Sequence, residues 1–126
     1  MTGVQTPVAV VLKKDLARSI RRGHPWIYRD ALEVEVPDVL PNGALVEVRT
    51  RDGRALARGF WDARSPIAVR VLESGGPGHR FADTDALLDE RLRAALDRRL
   101  ARLDLATTNA FRWVHGEADL LPGVHI

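Results

Sequence analysis

The sequence predicts a mainly β protein with a few helices: a small barrel or sandwich, then one long helix and the opening strands of a second unit. Three observations carry this. About six short apolar stretches, several alternating or rich in β-branched residues, lie between residues 8 and 72. Turn residues separate them, with no room for repeated βαβ units. Beyond Gly75-Gly76-Pro77-Gly78 a helical period takes over.

Val8 to Leu12 is a short β-branched run and reads as a strand. Asp15 can cap a brief helix through Arg22, with Leu16 and Ile20 on one face and Arg18, Arg21 and Arg22 turned away. Gly23 stops that helix, and Pro25 pushes His24 toward an extended conformation ahead of Trp26 to Tyr28. Leu32-Glu33-Val34-Glu35-Val36 alternates as a half-buried strand does. Pro41-Asn42-Gly43 is a turn, because proline presets φ and Asn-Gly tolerates positive φ. Ala44 to Thr50 is a strand, and Asp52-Gly53 marks a hairpin into Arg54 to Trp61. Ile67 to Leu72 is the last strand of the series.

The glycine run 75–78 is the best linker candidate, dividing a unit over residues 8–73 from one over 79–126. Thr84 to Leu103 is the clearest helix, with Leu88, Leu92, Leu96, Leu100 and Leu103 as its apolar stripe. Acidic residues open it and Arg98, Arg99 and Arg102 close it, an order that complements the helix dipole. Phe111 to Val114 reads as another strand. The terminal Val124-His125-Ile126 is extended and apolar, and is expected to lack backbone partners within the chain. A truncated edge of that kind promotes self-association.

Cysteine is absent, which excludes disulfides, thiolate metal sites and Cys nucleophiles, and suits a reducing, cytoplasmic location. No segment approaches the roughly 20 apolar residues that span a bilayer. Among the four histidines, none stands at a metal-binding spacing. Glu117 and Asp119 are two apart rather than opposed, and are expected to hydrogen-bond the turn at Pro122-Gly123. The residues point to no catalytic site, no cofactor loop and no metal centre.

Charge is more informative in its distribution than in its net value of +2. Between residues 13 and 30 six cations face only Asp15 and Asp30. A basic patch on a near-neutral body fits either a polyanion partner or a solvated surface. Lys13, Lys14, Arg18, Arg21, Arg22, His24 and Trp26 form the constellation of interest. The cations attract phosphate, while His24 and Trp26 can offer faces to unpaired bases. Trp26 beside Pro25 also suits core or rim packing.

The stretch Lys13 to Tyr28, with R-R-G-H-P-W-I-Y, resembles the opening of the 23S ribosomal RNA cytosine-C5 methyltransferases. A-R-G-F-W-D-A-R-S-P-I-A-V-R from Ala57 to Arg70 and G-E-A-D-L-L-P-G-V from Gly116 to Val124 match that family in the same order. The resemblance implies a PUA-like RNA-binding barrel, a connecting helix and the first strands of a truncated α+β central domain. It also implies S-adenosylmethionine as cofactor of the full-length family member, acting on 23S ribosomal RNA. The family's glycine-rich cofactor loop and catalytic cysteines have no counterpart here, so neither cofactor binding nor catalysis is carried to any residue. The chain alone is expected to be inactive. The rival readings are a methyltransferase subunit completed by another chain, and a protein-interaction barrel that does not bind RNA.

Overall fold

The computed structural model describes residues 7–33, 40–76 and 78–126. The chain divides into two compact units, Met1–Phe81 and Ala82–Ile126. The expected mainly β architecture with few helices is the one observed.

In the first unit β1 (Val8–Val11) leads into a short helix, α1 (Ala17–Arg21), and then β2 (Trp26–Tyr28) and a 3-10 turn at Arg29–Ala31. β3 (Leu45–Arg49), β4 (Ala55–Trp61) and β5 (Ile67–Ser74) follow. They form one sheet in the order β1-β3-β4-β5-β2. β1 and β3 run parallel, and every other neighbouring pair is antiparallel.

The two sheet edges meet. After β2 the chain returns to β1 through an antiparallel bridge, Leu12 to Leu32. Lys13 N–H donates to Ala31 O and Glu33 N–H to Val11 O, each at 2.9 Å. This pairing curls the sheet into a barrel and satisfies backbone groups that an open edge would leave exposed. Of the strand expected over Leu32–Val36, Leu32 makes this bridge, and residues 34–36 lie outside the described residues.

Inward-facing side chains fill the barrel: Val10, Leu12, Ile27, Val46, Val48, Leu56, Trp61 and Val69 among them. The turns follow their local chemistry. Gly53 takes φ +87° in the hairpin, and its N–H donates to Thr50 O at 3.0 Å. Gly59 is required for a different reason: a Cβ there would stand 2.3 Å from Arg70 O of β5. Arg29 donates to the carbonyls of Asp62 and Ser65, and its guanidinium lies 5.1 Å from the Trp61 ring centre. That arginine pins the β4–β5 turn. After β5, Gly75 and His79 stay on this unit: Gly75 N–H donates to Leu56 O, and His79 Nε2 lies 3.1 Å from Glu73.

The second unit is built on α2 (Thr84–Arg102), whose N-cap Asp83 accepts the Ala86 N–H at 3.2 Å. Its buried face differs from the expected leucine stripe. Leu88 and Leu92 pack against Ala95, Val114 and Leu121, but Leu100 is 43% exposed. Steps of four residues drift about 40° each around a helix, so Leu100 has rotated off the face that Leu88 began. Ala95 and Arg99, seven and eleven residues after Leu88, fall back near it.

Phe111 to Val114 is not a strand; one bridge, His115 to His125, is the only ladder pairing among the described residues there. The tail nevertheless has internal partners. Gly116 N–H donates to Val124 O at 2.8 Å, and Val114 and Ile126 exchange N–H···O bonds at 3.0 and 3.2 Å. The G-E-A-D-L-L-P-G-V stretch folds the chain back so tightly that its end meets residues 114–116. Three backbone positions with positive φ, Gly116, Leu120 and Gly123, permit that reversal. Among the described residues, no helix is long and apolar enough to cross a membrane.

Candidate nucleic-acid interface

The basic segment joins β1 to β2 and is anchored by three apolar side chains. Leu12 and Ile20 are 2% exposed, and half-buried Leu16 packs against the same core. α1 begins one residue later than the sequence implies. Its N-cap is Leu16, and Asp15 Oδ1 instead accepts the Ala17 N–H at 3.3 Å. The helical period then turns Arg18, Arg21 and Arg22 away from the face shared by Leu16 and Ile20. Gly23, at φ +96°, ends the helix, and its N–H donates to Ile20 O at 3.0 Å.

The residues singled out from the sequence, Lys13, Lys14, Arg18, Arg21, Arg22, His24 and Trp26, all reach the surface. The structure brings them together unevenly. Lys13, Lys14 and Arg21 line a cleft of about 480 Å³ whose far wall is the Thr50–Arg54 hairpin. His24 and Trp26 line a smaller hollow of about 160 Å³, which Lys14 also borders. Arg18 and Arg22 line neither.

Sequence reasoning missed Arg51 and Arg54, which bring the cleft to five cations against Asp15 and Asp52. Arg54 pairs with Asp52 at 3.1 Å and Arg51 with Glu33 at 3.3 Å, and all four side chains are substantially exposed. Exposed pairs of this kind are weak and leave the guanidinium groups able to exchange partners. The Thr50 hydroxyl holds the Asp52 carboxyl below its ordinary value, against some desolvation and with help from Arg54. The signal for these arginines was the R-D-G-R hairpin tip. Only the parallel pairing of β1 with β3, which sets Val11 opposite Arg49, places that tip beside Lys13.

Tyr28 was missed as well. It lines the smaller hollow with Trp26, and β2 runs exposed, buried, exposed over Trp26, Ile27 and Tyr28. Period-two alternation would have found it. Trp26 is 37% exposed, so it is not a core residue. Its backbone N–H donates to His24 Nδ1 at 3.3 Å, and the two rings meet edge to face, 6.5 Å between centres.

The second unit's conspicuous charges are occupied differently. Asp119 is 2% exposed. Arg98 donates to its Oδ1 at 2.7 Å, Arg99 to Oδ2 at 2.6 Å, and the His115 N–H to Oδ2 at 2.7 Å. Burial pushes the Asp119 carboxyl up, but Arg98, the His115 N–H and Arg99 together outweigh it and bring its pKa down to about 2. Asp119 therefore ties α2 to the 3-10 turn at Gly116–Asp119, rather than bonding the Pro122-Gly123 turn. Among the described residues, no group of three His, Cys, Asp or Glu side chains could hold a metal ion.

Residues 10–74 match the PUA-like domain family. Over 109 residues the chain is 38% identical to a ribosomal RNA large subunit methyltransferase of Deinococcus radiodurans, covering 83% of this chain and 26% of that protein. Over 117 residues it is 36% identical to ribosomal RNA large subunit methyltransferase I of Alteromonas mediterranea, covering 93% and 28% respectively. The chain thus spans little more than a quarter of the length of these relatives. The solved structure of a candidate SAM-dependent methyltransferase from Streptococcus mutans aligns with a TM-score of 0.66 at 12% identity, over 94% of this chain and 29% of that one. The structure of a second candidate methyltransferase, complexed with SAH, aligns with a TM-score of 0.63 at 14% identity, over 96% of this chain and 29% of that one. At such identities the structural likeness speaks for the fold alone. The chain belongs to the PUA-like domain family and is homologous to part of the large-subunit ribosomal RNA methyltransferases.

Proposed function

We propose that this chain supplies the RNA-binding module of a SAM-dependent ribosomal RNA cytosine-C5 methyltransferase. Its barrel, over about residues 8–73, holds 23S ribosomal RNA, and residues 79–126 connect it to the domain that performs the chemistry. One observation supports this most. The exposed cations Lys13, Lys14 and Arg21 share a cleft with Arg51 and Arg54, although the two groups are some 30 residues apart in the chain. A cleft in which cations outnumber carboxylates five to two concentrates a polyanion and engages successive phosphates. Arg18, Arg22, His24 and Trp26 extend that face on either side. Relatives named as ribosomal RNA methyltransferases make RNA the polyanion of choice. This part of the enzyme binds substrate, and S-adenosylmethionine and the attack on the base belong to the domain it serves.

The test is RNA affinity measured across a salt series. Log affinity should fall with log salt by about 0.7–0.9 per phosphate engaged. An affinity that is absent at low salt, or present but flat with salt, favours the alternative of a barrel that binds protein and not RNA.

A further inference from the structure

We propose that the hollow beside β2 seats one unpaired base of single-stranded RNA, stacked on Trp26 and Tyr28, with its edge read by Lys14 and Asp30. The inference rests on the RNA-binding reading above and adds to it the kind of RNA and the part of the nucleotide that is recognised. Five observations converge. The hollow, about 160 Å³, is bordered by Lys14, Ser19, His24, Trp26, Tyr28 and Asp30, so aromatic faces and polar groups share one small concavity. Trp26 is 37% and Tyr28 46% exposed, flanking an Ile27 that is fully buried in the core. The wall that carries the rings is therefore fixed while the rings stay partly exposed.

Strand residues two apart are separated by about 6.6–6.8 Å, a spacing that admits one planar base between their side chains. β2 also breaks register with β5 between Ile27 and Tyr28, and such irregularities, frequent at barrel rims, re-aim a side chain or end the pairing. At the rim, Lys14 Nζ and Asp30 Oδ2 lie 3.4 Å apart with side chains 54% and 75% exposed. A donor and an acceptor side by side match the mixed donor and acceptor edge of a base, which a duplex would keep engaged. Lys14 borders the basic cleft too, so a strand whose phosphates follow the cleft passes its bases across the hollow.

The experiment compares short single-stranded RNA with duplex RNA of the same sequence, using the full chain and its variants at Trp26, Tyr28 and Asp30. Wild type should bind the single strand more tightly than the duplex, and its tryptophan fluorescence should be quenched on binding. Trp26→Ala and Tyr28→Ala should each weaken single-strand binding by roughly 5- to 150-fold, leaving duplex affinity, salt slope and melting temperature in place. Trp26→Phe retains a ring and should keep most of the affinity while losing most of the quenching, which guards against a Trp26→Ala variant that misfolds. Asp30→Asn should change the order of preference among oligo-A, oligo-C, oligo-G and oligo-U. Single-strand affinity that survives both aromatic removals overturns the stacking site while the RNA-binding reading stands. An unchanged base preference in Asp30→Asn overturns the edge reading. No binding to either RNA at about 50 mM salt removes both this inference and the reading beneath it.

Discussion

Two arginine clusters in this chain look alike in composition and sit in opposite surroundings. Arg18, Arg21 and Arg22 stand on or at the end of α1, and Arg98 and Arg99 on α2. In the first, Leu16 and Ile20 take up the inner face, and the arginines are left at the surface. In the second, Arg99 lies close to the buried side of its helix, 26% exposed, and meets a carboxylate that is almost wholly enclosed. A cation becomes architecture when a buried anion lies within its reach, and stays available to a partner when none does. Composition does not distinguish the two. The angular position of each arginine relative to its own apolar neighbours does.

The strongest way to break this contrast is at Asp119. Asp119→Ala leaves two arginines and the His115 N–H without their acceptor, and should cost about 2–4 kcal/mol, somewhat below the range for fully enclosed pairs because Arg98 remains half exposed. Urea unfolding monitored through Trp113, which packs in this unit and donates to Leu92 O, reads the loss. RNA affinity should not change. If affinity falls while stability holds, the arginines of α2 belong to the interface after all.

The same carboxylate gives a pH signature. Its pKa falls from 3.8 to about 2 on folding. Its contribution is therefore fully present above the unfolded value and is lost as pH drops through about 2. Asp119→Asn should remove that part of the acid dependence below about pH 4, seen as a flatter acid-unfolding curve than wild type. An unaltered curve would mean that the carboxylate is not bound as described.

At the first cluster the expected changes are in affinity rather than stability. Arg21→Ala with Arg22→Ala should weaken RNA binding across sequences and lower the salt slope by about 0.7–0.9 for each phosphate no longer engaged, with stability shifted by no more than about 0.5 kcal/mol. Arg51→Ala with Arg54→Ala sharpens the comparison, because those residues join the cleft only through strand pairing. They should flatten the slope in the same way. Wild-type affinity in that double variant would confine the interface to the segment before β2. The smallest effect belongs to Arg18→Ala, which lines neither hollow and should lower the slope less than Arg21→Ala.

Much of this was legible because it is local. The Asp52-Gly53 hairpin, the Pro41-Asn42-Gly43 turn and the amphipathic pair Leu16 and Ile20 follow from backbone preference and side-chain period. The extent of α2 was legible for the same reason, but its buried face was not. An i to i+4 leucine stripe drifts around the helix, so past Leu92 the buried face passes to Ala95, and Arg99 meets Asp119 there. Tyr28 was within reach of the period-two alternation along β2. The tail's partners were not, since the reversal depends on Leu120 adopting φ 58°, a conformation leucine seldom takes and one its sequence does not announce.

The sequence by itself determined most of the strands, turns and helices, the surplus of cations between residues 13 and 22, and the lack of any thiol chemistry. These depend on neighbours a few residues apart and on composition. Only the tertiary structure decided which charges meet. Parallel pairing of β1 with β3 carries Arg51 and Arg54 to Lys13 and Lys14, and the fold of residues 116–124 delivers Asp119 to α2. The physical reason is range. Local preferences act within a turn or a strand, whereas a cleft or a buried ion pair is created when hydrophobic burial brings distant segments together, and their charges must then find partners or face solvent.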